Sequence, residues 1–392
     1  MPKKDKHVIR KVVIGSLLAL NIFFAAAFLF SFLAHYISPE HSVLVAYCGL
    51  AFPYLMFVNL FFTVMWIFIR YRYLFISLTL LLLNVNNIDK YYQLRGTEKP
   101  EKCENCIKVM NYNAKLFGVY NSNNKQQREK DRDQILRFLQ EERPDIVCFQ
   151  EYFYDKSGKL EFNTTDSLLS VLRLNKRTPK ETKNYYSQYF PTDLKDEYYY
   201  GVAIFSRYKI VNTDFIALPD SNSANGALFA DIKYKNDTIR IYSLHLESFH
   251  MDPMDYETGR MILQRDIQDP DFNKNARKLS RKMNVAFRKR AAQANVIRAH
   301  MDSCRYPVIV CGDFNDTPAS YVTHKIGKGL SDTFRTGGSG EAVTYIGDAF
   351  PSYRIDYIFH DKKFSSYGHT VAEQLTVSDH YPIYSYISIK KR

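Results

Sequence analysis

Cysteine is scarce. Six in 392 residues are too few for a small disulfide-scaffolded domain. Cys103-Glu104-Asn105-Cys106 has no second Cys-x-x-Cys to complete a zinc site, though in an oxidising compartment the pair can close a local disulfide. Long Lys/Arg blocks are also missing, which argues against a dedicated nucleic-acid arm despite a formal charge of +12. There is no internal repeat of fixed period. Mean hydropathy is slightly negative, which excludes a polytopic transporter, yet the average hides a sharply divided chain.

The apolar residues concentrate at the front. Val12 to Ala34 contains 23 consecutive uncharged residues, and Ser42 to Ile69 a further 28, with Pro53 inside and Trp66 near one end. About 20 apolar residues cross a hydrocarbon core, and a secretory signal would be shorter and carry a cleavage site. A third run, Tyr73 to Val85, is 13 residues long, short for a span. The expectation is three transmembrane helices, 12–34, 42–69 and 73–85, with Trp66 as an interfacial aromatic and lipids as partners of all three. Lys3, Lys4, Lys6, Arg10 and Lys11 precede the first run and Arg70 and Arg72 follow the second, whereas Tyr36–His41 has neither Lys nor Arg. The positive-inside bias then puts the N-terminus and the Arg70/Arg72 turn in the cytoplasm. With three crossings of the cell (inner) membrane, the rest of the chain lies on the extracytoplasmic side.

Residues 86–106, with Gly96 and Pro100, read as a linker to a domain over 107–392. In that domain short β-branched runs alternate with loops and a few helices. Strands are expected at Ile107–Asn111, Ile146–Gln150, Val202–Phe205, Ile239–His245, Val308–Cys311, Arg354–Phe359 and Ile383–Ile389. Helices are expected near Gln127–Glu142 and Lys282–His300. The strands are mostly too far apart for a hairpin meander, so the fold class is α/β in mixed layers.

Polar residues gather at the strand ends: Asn113 after the first, Gln150-Glu151 after the second, His245, then Asp313 and Asn315, Asp356, and Asp379-His380 before the last. One such residue is more often a surface cap. Several acids at strand ends are costly to bury unpaired, so their recurrence implies a cation or hydrogen-bonded partners. Oxygen ligands with two histidines nearby suit Mg²⁺ or Mn²⁺ better than Zn²⁺. Cys148 and Cys311 read as small core residues.

Tyr112-Asn113, Gln150-Glu151, Gly201-Val202-Ala203-Ile204-Phe205-Ser206-Arg207, His245, Gly312-Asp313-Phe314-Asn315, Arg354-Ile355-Asp356-Tyr357 and Ser378-Asp379-His380 resemble, in this order, the motifs of the endonuclease/exonuclease/phosphatase superfamily. The resemblance runs from Ile107 to the C-terminus. It implies a four-layered α/β sandwich, two packed mixed β-sheets flanked by helices, behind the N-terminal transmembrane region. It also implies roles: Glu151 as principal metal ligand with Asn113 beside it and Asp379 completing the metal side. Asp313 would orient or deprotonate water, Asn315 hold phosphate or metal, His245 bond a phosphate oxygen, and Asp356 polarise His380. Whether Asp313 or His380 is the base stays open.

The expected function is a membrane-anchored, Mg²⁺- or Mn²⁺-dependent phosphoesterase acting on a lipid headgroup, nucleic acid or sugar phosphate. Two alternatives stand beside it. One is a membrane-localised nuclease, for which the basic segment Lys274–Arg290 is the candidate phosphate track. The other is an inactive binding module, which the retention of Glu151, Asp313 and His380 disfavours. Specificity is expected in Tyr152–Tyr200 and Ser248–Arg281, because substrate-contacting loops sit on a rigid scaffold.

Overall fold

The computed structural model describes residues 3–98, 103, 105–160, 163–175, 178–194, 197–219, 225–264, 271–347 and 353–389. Parts of the expected linker (99–102 and 104) and of the two expected specificity segments (161–162, 176–177, 195–196 and 265–270) lie outside the described residues.

The chain begins with a helical bundle: α1 (Lys3–Leu33), α2 (Val43–Leu50), α3 (Phe52–Ile69) and α4 (Leu74–Leu83). The second apolar run, expected as one helix over 42–69, is broken into α2 and α3 at Ala51. Pro53 is the cause: its ring and missing N–H are tolerated only in a helix's first turn. Contacts fix the direction of each helix. Phe28 packs on Phe52, Phe24 on Phe62, and the Trp66 indole donates to Asn21 Oδ1 at 2.9 Å, so α1 and α3 run antiparallel. Asn21 also bonds Ser77 (2.6 Å), and Tyr73 meets Trp66, so α4 turns back alongside α1.

The bundle carries buried polar groups among its apolar packing and is apolar outside. Asn21, Asn59, Ser77 and Trp66 are fully buried, while Phe23, Phe57, Phe61, Phe68, Phe75 and Leu82 are exposed. Ser77 donates to Asn59 Oδ1 at 2.9 Å, and the Asn59 amide donates to the Leu55 carbonyl at 2.8 Å. Trp66 is therefore not the interfacial anchor its position suggested. Its N–H is spent on Asn21, which draws the ring inward. Helices over His7–Leu33 and Phe52–Ile69 are long and apolar enough to cross a membrane; the apolar helix over Tyr71–Leu83 is shorter.

Two six-stranded sheets form the rest. In chain order the strands are β1 (Cys106–Asn113), β2 (Ile146–Asp155), β3 (Tyr186–Leu194), β4 (Tyr198–Ser206), β5 (Ile210–Phe215), β6 (Gly226–Tyr234), β7 (Asp237–His245), β8 (Val308–Asp313), β9 (Leu330–Asp332), β10 (Asp356–Asp361), β11 (Phe364–Val371) and β12 (Ile383–Ile389). The first sheet has the order β11-β12-β1-β2-β4-β3, the second β9-β10-β8-β7-β6-β5. Only β1–β2 and β7–β8 pair in parallel within them, through crossovers containing α5 (Lys125–Glu142) and α8 (Phe272–Asp302). Three further helices matter here: α6 (Thr164–Val171), α7 (Pro253–Gln264) and α9 (Tyr321–Gly327).

Alternation along the strands makes three apolar interfaces and hence four layers. Met110, Tyr112, Val147 and Phe149 face Ile135 and Leu139 of α5. Ile107, Val109 and Cys148 face Ile241, Ile309, Cys311 and Ile358 of the other sheet. Tyr242, Leu244 and Val310 face Ala294 and Ile297 of α8 and Val322 of α9. The chain is thus an α/β sandwich of two packed mixed sheets flanked by helices, with apolar helices before it.

The segment between bundle and sandwich lies against the domain. Tyr91 stacks on Phe52 at 5.1 Å, Tyr92–Gln93 pairs with Gly340–Glu341, and the Gly368 N–H donates to the Thr97 carbonyl. Cys103 and Cys106 are joined by a disulfide.

Candidate active site

The site follows from the same period-two alternation. On each central strand the positions facing the opposite sheet are apolar until one end, where they turn polar. Ile107 and Val109 lead to Asn111 and Asn113; Cys148 to Gln150; Ile239 and Ile241 to Ser243 and His245; Ile309 and Cys311 to Asp313; Ile358 back to Asp356. Register then aligns them. His245 pairs with Asp313, and Asp313 with Asp356, in one row across β7, β8 and β10, while Asn113 pairs with Gln150 in the facing sheet. The inter-sheet core therefore ends in a polar cleft.

Glu151 enters from a bulge. The β2–β4 register shifts between Phe149 and Tyr152, and Glu151 takes φ +47°. A non-glycine residue in the left-handed region costs of order 1–3 kcal/mol and persists where the surroundings over-determine it. Here the bulge turns the carboxylate towards Asn113, whose amide donates to Glu151 (3.3 Å) and to Asp313 (3.0 Å). Asn315, also left-handed at φ +51°, donates its N–H to Asp313 Oδ1 (2.8 Å) and its amide to the Leu246 carbonyl (2.9 Å).

His245 Nε2 lies 3.8 Å from Asp313 and 3.9 Å from Glu151. His380 Nδ1 bonds Asp356 at 2.9 Å, and its Nε2 faces Asp313 at 3.7 Å. The Asn111 amide donates to the Asp356 carboxylate (3.2 Å), and the Asp356 backbone N–H donates to Thr344 Oγ1 (3.1 Å). Ser378 Oγ bonds the Asn113 carbonyl and accepts the His380 N–H, which seats the 378–380 loop. Tyr345 covers His380 at 5.0 Å and shares a hydroxyl bond of 2.9 Å with Tyr256 of α7.

Electrostatics separate the roles. Burial alone would lower the His380 pKa, but the Asp356 and Asp313 carboxylates outweigh it and push it up to about 10. Burial raises the Asp313 carboxyl above its ordinary value, with Asp356 adding to the effect and the two histidines opposing it. At neutral pH His380 is therefore a hydrogen-bond donor in the cleft.

The cleft brings together Asn113, Glu151, His245, Asp313, Asn315, Asp356 and His380. Asp379 stands beside them: its carboxylate pairs with the exposed Lys115 at 3.1 Å and accepts from Ser378 Oγ at 3.4 Å, and its charge helps raise the His380 pKa. Ligand atoms of Asp313, Asp356 and His380 all lie within 4.8 Å of one another. The His380–Asp356 bond already occupies two of them, whereas Glu151 and Asp313 converge on a single amide. Carboxylates gathered in this way suit a hard divalent cation. Sequence reasoning passes over Asn111, Ser243, Thr344 and Tyr345. The first two continue the inner-face alternation and carry that signal; Thr344 and Tyr345 lie outside strands and carry none.

Residues 10–91 match the family model of a domain of unknown function. No curated protein matches the chain. Among solved structures, an endonuclease/exonuclease/phosphatase from Beutenbergia cavernae is 16% identical, covering 73% of this chain and 72% of that one at a TM-score of 0.48. The human Nocturnin catalytic domain with bound sulfate is 19% identical, covering 73% and 94% at 0.48. A Bacteroides thetaiotaomicron endonuclease/exonuclease/phosphatase family protein is 19% identical, covering 73% and 95% at 0.47. These likenesses concern the fold. The assignment rests on the family model, which matches residues 84–380: the chain belongs to the Endonuclease/Exonuclease/phosphatase family.

Proposed function

We propose that the chain is a membrane-anchored, divalent-metal-dependent phosphoesterase that hydrolyses its substrate by in-line attack of water. The observation that carries this reading is the convergence of Glu151, His245, Asp313 and the Asp356–His380 pair on one buried cleft. Asp313, whose carboxyl burial raises above its ordinary value, takes a proton from the attacking water. His245 and the His380 imidazolium donate to phosphoryl oxygens as charge develops there. Water adds at phosphorus, the ester P–O bond breaks, and the alcohol leaves with a proton. Glu151, with Asn113 beside it, would hold Mg²⁺ or Mn²⁺, and the ion supplies further positive charge against the phosphoryl oxygens. Asn315 positions Asp313 through its N–H.

Glu151→Gln should abolish turnover by weakening cation binding while the fold stays intact. Activity titrated with Mg²⁺ and Mn²⁺, beside the thermal midpoint, checks this. Full turnover at limiting metal would remove Glu151 from the metal site.

The anchor reading rests on the apolar outside of the bundle and on the hydrogen bonds joining its helices within. The antiparallel α1 and α3, with α4 returning, suit three crossings. His35 and Tyr36, at the end of α1, meet His324 of α9, so the sandwich shares a side with the Tyr36–His41 loop. The Arg70/Arg72 turn lies at the opposite end of α3. With the basic segments in the cytoplasm, the sandwich is extracytoplasmic, where a Cys103–Cys106 disulfide is at home. A membrane-impermeant thiol reagent should then reach Cys304 in intact spheroplasts. Labelling only after lysis would place the domain in the cytoplasm.

A further inference from the structure

The bundle and the cleft are at the same end of the sandwich. Ala319 lies four residues beyond Asn315, is fully buried, and packs with Phe28 of α1 and Phe52 of α3. Four residues reach at most about 14 Å. The approach is close: a Cβ on Gly49 of α2 would stand 3.0 Å from the Ala319 carbonyl oxygen and 2.8 Å from Ala34 Cβ. On a second side, next to the same loop, Arg354, two residues before Asp356, donates to the Lys90 carbonyl at 3.0 Å. On a third side Tyr47 of α2 packs against Phe287 of α8 at 5.3 Å and donates to the Ser280 carbonyl at 3.3 Å.

Two loops beside the catalytic row, and α8, thus rest on the bundle helices, where headgroups begin. The elements beside them suit such a surface. α7, whose Tyr256 bonds the tyrosine covering His380, exposes Met254 and Ile262. α8 exposes Arg277, Arg281 and Arg288 at spacings of four and seven, on one side of the helix. Guanidinium groups so placed attract an anionic lipid surface.

We propose that the substrate is a membrane lipid whose phosphoester lies in the headgroup layer and is taken by the cleft while its acyl chains stay in the bilayer. This deepens the phosphoesterase reading above and rests on it. The docking of the sandwich on the bundle sets the height of the cleft over the bilayer, so the docking residues act on lipid turnover without touching the reacting atoms. Gly49→Val, which lifts the Ala319 loop, separates the two kinds of substrate.

The full chain is reconstituted with Mg²⁺ in vesicles of phosphatidylethanolamine and phosphatidylglycerol, and release of phosphate-bearing product or free headgroup is followed. Hydrolysis of water-soluble bis(p-nitrophenyl) phosphate and of a short oligonucleotide is measured alongside. Gly49→Val should lower vesicle-lipid turnover at least tenfold and leave the soluble ester within twofold. Arg277→Glu with Arg281→Glu, both exposed, should lower turnover on these anionic vesicles and leave the soluble ester within twofold. The proposal is overturned if these variants match wild type on vesicles, or if the oligonucleotide is cut at least tenfold faster than either lipid. Wild-type chain that hydrolyses neither the lipids, the soluble ester nor the oligonucleotide with Mg²⁺ or Mn²⁺ would instead overturn the phosphoesterase reading itself.

Discussion

Asp313→Asn should lower kcat at least about 100-fold, the usual scale for a group that moves a proton in the transition state. The substitution keeps the shape of a side chain that is 1% exposed and that accepts from Asn113 and Asn315. It removes the basic oxygen and the charge facing His245 and His380. His380→Ala should cost a similar factor. Because both act on one transition state, the double variant should be little worse than either single one. With His380 protonated up to about pH 10, the wild-type rate should fall as pH rises through that value, a limb missing from His380→Ala. Single-turnover rates on a soluble phosphodiester test all of this. A near-wild-type Asp313→Asn would assign the base elsewhere.

The largest loss of stability is expected from Arg354→Met. Arg354 is 4% exposed, lies between the rings of Phe334 and Tyr357 at 4.7 Å each, and donates twice to Asp332, at 2.8 and 2.6 Å. Burial alone would raise the Asp332 pKa, but Arg354 holds it below its ordinary value. The pair therefore stabilises the fold fully above the unfolded carboxyl value of about 3.9, and this contribution fades as pH falls through the depressed folded one. Removing the guanidinium strands a buried carboxylate, at a cost of about 3–5 kcal/mol. Arg354→Met combined with Asp332→Asn should recover most of it, since asparagine still caps the helix at Phe334. Denaturant midpoints of the two variants in detergent measure the difference.

How much was legible in the sequence depended on where a residue lies. All seven expected strands form, and Ile383–Ile389 keeps its bounds, because apolar residues recur along each of them on the face that meets the other sheet. β5 was missed: every residue after Ile210 is exposed, so this edge strand shows no apolar face. β6 was hidden by the buried Asp231, which the backbone pattern cannot pair with Arg240 in advance. α8 starts ten residues before its expected beginning, because its first turns bury Leu279 alone and read as polar loop. The break at Ala51 was foreshadowed by Pro53 but overridden by the length of the apolar run. In the cleft, the polar ends of strands could be read; which of them meet could not. Lys115, the partner of Asp379, follows Asn113 by two residues and carried no signal in the sequence.

The buried hydrogen bonds of the bundle bear on biosynthesis. At ten residues, α4 is too short to partition into a bilayer by hydrophobicity alone. Its Ser77 hydroxyl is claimed by Asn21 and Asn59, which belong to helices made earlier. On the three-crossing reading, the nascent chain would insert its first two spans with two amides waiting. The third span would then be recruited by those amides as it leaves the ribosome. Export of the more than three hundred residues that follow would hang on the capture of one serine.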